Sequence, residues 1–120
     1  MQQHFLKSGE TKLEFTANGK IENPTYFESN PLLRVYGQGK LEIGSGLIKI
    51  KIPSSISSNY IDIDCETWNC TEESNNMNAY VTVSKNGTEH YFPTLEEGTN
   101  QVVLGTGITK VEVIPRWWLL

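Results

Sequence analysis

The chain is short of the residues that most often carry chemistry. Its 120 residues include two histidines, two cysteines and two methionines. Neither His4 nor His90 has a serine or cysteine beside it in a nucleophile setting, so nothing in the sequence supports a catalytic triad. Cys65 and Cys70 are too far apart for a thioredoxin-type Cys-x-x-Cys pair, and no second pair exists to complete a zinc site. In an extended segment their Cα atoms would lie ~16 Å apart, against the ~4.4–6.8 Å of a disulfide. The odd separation also sends them to opposite faces, so two free thiols are expected. No glycine-rich phosphate loop is present, because Gly37-Gln38-Gly39 precedes a strand pattern rather than a helix. These shortages argue against an enzyme and against any cofactor or metal.

Long hydrophobic runs are missing too. No apolar stretch approaches the ~20 residues needed to cross a bilayer. The start, Met1 to Lys7, has neither a long apolar segment nor a small-residue cleavage site, so synthesis in the cytoplasm is expected. Charge of one sign is not concentrated anywhere. The net charge is −4, with Lys and Arg scattered among Asp and Glu. Nucleic acid and anionic membrane both require a dense basic surface, so neither is expected as a partner. With 38% hydrophobic and 20% charged residues, the composition is that of a globular protein. One domain over residues 1–120 is expected, with 1–15 as a lead-in strand or extension.

Sustained helical periodicity is also absent, and strand alternation takes its place. Leu41 and Ile43 alternate with charged residues, as do Ile48, Ile50 and Ile52, and Gly44-Ser45-Gly46 between them supplies a hairpin turn. Leu32 to Gly37 reads as a strand after the Asn30-Pro31 turn signal, and Gly37 and Gly39 permit a bend or bulge. From Tyr60 to Glu66, Ile61, Ile63 and Cys65 face one way while Asp62, Asp64 and Glu66 face the other. Ala79 to Val83 is read as a strand that returns through Asn86-Gly87 into another near Tyr91. Gln101 to Leu104 and Lys110 to Trp117 are read as a final pair joined by Gly105-Thr106-Gly107. Pro53–Asn59 and Asn69–Asn78 are read as solvent loops, and the acceptor patterns at Asn69 and Asn86 as polar turns. Roughly nine or ten short strands at this turn spacing predict an all-β fold, an antiparallel β-sandwich.

Two groups of side chains invite a functional reading. Asp62, Asp64 and Glu66 project from one strand face at a spacing of ~7 Å, which suits calcium or the acid and nucleophile of a glycosidase. No glycine turn curls them around an ion, so a solvated face balanced by lysines such as Lys49 and Lys51 is expected instead. Nine aromatic residues, Tyr26, Phe27, Tyr36, Tyr60, Trp68, Tyr80, Tyr91, Trp117 and Trp118, are candidates for a sugar-stacking platform. Most are expected in the core. Counting by twos from Val111 puts Trp117 on the apolar face and Trp118 on the wetter one. Trp118 is therefore the first candidate for contact with a partner, and Arg116 beside it the second.

Four blocks of sequence carry a further signal. They are Asn23 to Gly37, Tyr60 to Thr67, Phe92-Pro93-Thr94-Leu95 with Gly98 and Asn100, and Pro115-Arg116-Trp117-Trp118. In this order, and over nearly the whole chain from about Thr16, they resemble the C-terminal domain of the distal tail protein of siphophages. The resemblance implies a galectin-like, jelly-roll-like sandwich with no catalytic or sugar-ligand residues to carry over. It implies a structural role at the virion tail tip or baseplate, through contacts with other tail proteins: the ring-forming domain, the tail tube, a tail-associated lysin or a receptor-binding protein. The family's hexameric ring is formed by a separate N-terminal domain, so this chain is expected to be an excised domain or truncated product, monomeric by itself. A carbohydrate-binding module for host cell-wall polysaccharide is the alternative expectation.

Overall fold

The computed structural model describes residues 12–117 and is an antiparallel β-sandwich of two six-stranded sheets. One sheet has the order β1-β12-β3-β6-β7-β8, built from Leu13–Phe15, Ile108–Ile114, Leu32–Gly37, Tyr60–Asp64, Asn69–Glu72 and Asn75–Asn76. The other has the order β10-β9-β5-β4-β11-β2, from Thr88–Glu89, Val81–Lys85, Gly46–Ile50, Gly39–Ile43, Gly98–Leu104 and Gly19–Asn23. A 3₁₀ turn, Asn78–Tyr80, leads into β9. We refer to the two as the β3 sheet and the β5 sheet.

The core follows from the alternation. Leu33 and Val35 of β3, Ile61 and Ile63 of β6, and Val111 and Val113 of β12 are buried on the inner face of the β3 sheet. Leu41, Ile43, Ile48, Ile50 and Val102 meet them from the β5 sheet. Leu33 sits opposite Ile63 on one side and Val113 on the other, at the centre of its sheet. Branched aliphatic side chains thus fill the space between the sheets. The aromatics fall mostly outside it: among the described residues only Phe15, Tyr80, Phe92 and Trp117 pack against the core, and each is partly buried. This corrects the expectation that most aromatic residues would be core.

The β4–β5 hairpin shows why its turn needs two glycines. Gly44 has φ +56°, and a Cβ there would overlap the Thr94 carbonyl oxygen. A Cβ on Gly46 would overlap the Ser84 carbonyl oxygen. The segment around Thr94 lies directly over the turn, held by Ser45 N–H to Thr94 O at 3.0 Å and Thr94 N–H to Ser45 Oγ at 3.0 Å. Asn86-Gly87 forms the second tight hairpin, both residues at positive φ as such a turn requires.

Several sequence expectations change. β11 and β12 are not partners: β11 pairs with β2 and β4, and β12 with β1 and β3, so Gly105-Thr106-Gly107 carries the chain from one sheet to the other. Asn69–Asn78 is not a loop, because β7 and β8 form within it and Cys70 and Met77 are buried. The strand read from Ala79 begins at Val81, and that near Tyr91 ends at Glu89. A four-residue turn at Cys65–Trp68 folds β7 back on β6, so Cys65 and Cys70 both face the interior instead of opposite faces. Both thiols are free. Burial raises both, Cys70 to about 12, which leaves them protonated and unreactive at neutral pH. Of the lead-in at 1–15, Leu13–Phe15 forms β1 against β12, and residues 1–11 lie outside the described residues.

Candidate interaction surface

The strand directions bring five connections to one end of the sandwich, residues 24–31, 44–45, 65–68, 86–87 and 90–97, together with residues 115–117 after β12. Two buried asparagines organise it. Asn23 Nδ2 donates to Phe27 O at 2.9 Å and to Leu95 O at 3.1 Å, while its Oδ1 accepts from Thr25 N–H and Oγ1. Asn100 Nδ2 donates to Glu96 O at 2.8 Å and Gly98 O at 3.1 Å, and its Oδ1 accepts from Glu96 N–H at 2.9 Å. Each satisfies loop groups that burial would otherwise leave unpaired. Ser29 and Leu95 exchange two backbone hydrogen bonds of 2.9 Å, tying the loops together. Glu28 accepts from Lys85 at 2.9 Å and from Thr94 Oγ1 at 2.8 Å.

Arg116 closes the same end. β12 stops at Ile114, Pro115 is buried, and Arg116 takes a left-handed φ of +59° that turns its guanidinium onto the β6 end. It donates to Asp64 Oδ1 at 2.8 Å, Asp64 Oδ2 at 3.2 Å, Glu66 at 3.3 Å and Asn30 O at 3.3 Å. Arg116, the second of the two partner-contact candidates, thus sits within an internal ion-pair network. The break in strand geometry also ends the count by twos: Trp117 packs against the core but stays half-buried, and Trp118 lies outside the described residues.

The three carboxylates are balanced, though not by Lys49 and Lys51. Those belong to β5 and the residue after it, in the opposite sheet. Asp62 is instead held by Arg34 of the adjacent β3, at 2.6 Å from Nε and 2.9 Å from Nη2, and Arg34 also lies 4.2 Å over the Tyr60 ring. Asp64 and Glu66 belong to Arg116. Further along this outer face Lys12 and Lys110 bracket Glu14 and Glu112. Among the described residues no three His, Cys, Asp or Glu side chains stand where they could hold one metal ion, and no helix is long and apolar enough to cross a membrane. His90 is exposed, and His4 lies outside the described residues.

The end exposes aromatic surface. Trp68, in the left-handed region at φ +62°, is 48% exposed and stacks on Phe92 with ring centroids 5.7 Å apart and planes at 19°. Tyr91, 50% exposed, meets the same indole at 5.5 Å, tilted by 60°. Tyr26, at 84%, and Phe27 add to the exposed apolar surface of these loops. Exposed rings held in place by packing are the usual anchors of protein recognition. Trp68 was legible as an aromatic candidate, but its prominence comes from the turn that reverses β6 into β7.

The network fixes an acid dependence. Burial would raise the Asp64 carboxyl, but the Arg116 hydrogen bonds and the N–H groups of Glu66 and Thr67 outweigh it and lower it. Lys85 and Thr94 lower Glu28 against a smaller opposing effect of burial. Burial opposes, but Lys110 and Lys12 overcome, at Glu112. For carboxyls depressed on folding, the stabilisation is complete above their ordinary values of 3.8 and 4.5 and is lost as pH falls toward the folded values. The urea midpoint should therefore drop on acidification through that range, and Arg116→Gln should flatten the drop. A second expectation concerns Ser29, whose buried Oγ has no hydrogen-bond partner among the described residues. Ser29→Ala removes an unsatisfied hydroxyl and should raise stability by about 1 kcal/mol in urea unfolding.

Comparisons with protein-family models, curated proteins and solved structures give no match.

Proposed function

We propose that this domain is a non-enzymatic structural module of a phage or prophage distal tail protein, with the galectin-like form of the β-sandwich. It acts at the tail tip or baseplate through contacts with other tail proteins during assembly and host adsorption. The observation that carries the reading is spatial. The four blocks that resemble the distal tail family, far apart in sequence, are bonded to one another around one end of the sandwich. Asn23 reaches Leu95, Ser29 bridges Leu95, Arg116 reaches Asn30 and Asp64, and Arg34 reaches Asp62. The blocks thus describe one interlocked scaffold beneath the exposed Trp68, Tyr91 and Tyr26. The pairing of Asp62 and Asp64 with arginines supports a role without glycoside chemistry, since both carboxylates are already engaged.

The gene neighbourhood tests this reading. A tape-measure gene upstream and a tail-lysin gene downstream are expected, and unrelated metabolic neighbours on both sides would contradict it. The second reading, a carbohydrate-binding module for cell-wall polysaccharide, is favoured by the exposed Trp68 and Tyr91 rings, since sugar C–H faces pack on such surfaces. Titration with host wall polysaccharide separates the two.

A further inference from the structure

The outer face of the β5 sheet is unlike that of the β3 sheet. On the β3 sheet the charged side chains of β1, β12, β3 and β6 are paired in the ladder described above. Near the β9–β10 edge of the β5 sheet, a cavity of about 260 Å³ is lined by side chains with no hydrogen bond or ion pair among the described residues. The register builds it. Leu47 of β5, Ser84 of β9 and Glu89 of β10 form one row across three strands, and Lys49 and Thr82 form the next. β10 is only two residues long, and the chain then leaves the sheet at His90. There the backbone N–H still bonds Val83 O at 2.9 Å while φ turns to +73°. That turn sets His90 as the last element of the cavity lining and leads straight into Tyr91 and the aromatic stack.

We infer that this cavity is a binding site for one pyranose ring of a saccharide. The lining offers an ammonium, a carboxylate, an imidazole and two hydroxyls beside Leu47 and Val83. A phosphate would face Glu89, and a cation would face Lys49 with a single carboxylate against it. A sugar suits both signs at once, because each of its hydroxyls donates and accepts: it donates to Glu89 and accepts from Lys49, with charge-assisted bonds at both. Leu47 and the aliphatic stem of Lys49 take its C–H face. The volume falls below the ~300–1,000 Å³ of sites for drug-sized ligands, which fits a single ring rather than an extended molecule. The polar side chains of the lining have no protein partner among the described residues and are free to bond a ligand in the concavity. This inference deepens the carbohydrate-binding reading and is independent of the tail-tip assignment.

The test uses saturation-transfer NMR and competition titration of the full chain with methyl glucoside, galactoside, rhamnoside and N-acetylglucosaminide, with inorganic phosphate in a separate arm. Glu89→Gln and Thr82→Val alter exposed side chains and should leave the melting temperature in place. At least one pyranoside is expected to bind, and each variant should weaken it about tenfold. Gln101→Ala, on the same sheet face outside the cavity, should leave binding unchanged. Sugar or wall-polysaccharide binding that survives in both cavity variants overturns the site while leaving the carbohydrate reading intact. Binding of none of the pyranosides or polysaccharides overturns both. Phosphate bound in place of sugar overturns the ligand class.

Discussion

Asn100→Ala is expected to lower the free energy of unfolding by about 3 kcal/mol. Asn100 is buried, and the alanine would strip one acceptor from the Glu96 N–H and the donor from the Glu96 and Gly98 carbonyls. Its Nδ2 also lies 3.4 Å from Ile21 O on the neighbouring β2, so the side chain joins the 96–98 turn to the sheet edge. Losing several partners at one point costs more than a typical single hydrogen bond, because the freed groups cannot all reach water without opening the turn. Asn100→Asp provides the specific control. It keeps the acceptor for Glu96 N–H but sets a carboxylate against three carbonyl oxygens, so it should destabilise at least as much. A shift in urea midpoint at constant m-value is the readout. Little change in either variant would mean that the turn does not depend on this side chain.

Leu33→Ala should cost about 2–5 kcal/mol. Leu33 has no exposed surface and lies between Ile63 and Val113 on the central strand of its sheet, facing the second sheet. Hydrogen-bonded strands on both sides and a packed layer opposite leave little room for collapse, so most of the cavity should persist. Against the 5–15 kcal/mol typical of a domain, the loss is a large fraction of the whole. Equilibrium unfolding checks it. A cost below that of a surface substitution would place Leu33 outside the core.

The core strands were legible because each has one wet face and one dry face. β3, β4, β5 and β6 write this as apolar residues alternating with Arg, Lys, Glu or Asp. β7 and β8 were not legible. They lie toward the β3 sheet's edge, and only Cys70 among their residues is buried, so no period-two signal exists. The pairing of β11 and β12 was misread because Gly105-Thr106-Gly107 looks like a hairpin turn. Long-range register with β4 and β3 decides instead. At the candidate surface, the turn at Gly98 and Asn100 rests on local chemistry, a positive φ at the glycine and an amide that bonds its own loop. The partners of Asp62 and Asp64 could not be read locally, since Arg34 and Arg116 are 28 and 52 residues away and only the fold brings them near. Trp68 was visible as an aromatic, but its exposure depends on the left-handed turn that ends the β6–β7 connection.

The proposed role of the domain is that of a structural part of a phage tail. Immunogold electron microscopy of purified particles from cells carrying the gene, with antibody raised against this chain, tests it most directly. The account predicts label confined to the distal end of the tail, present in every complete particle. Complete tails that lack the label, with the chain recovered only in the soluble cell fraction, would contradict it.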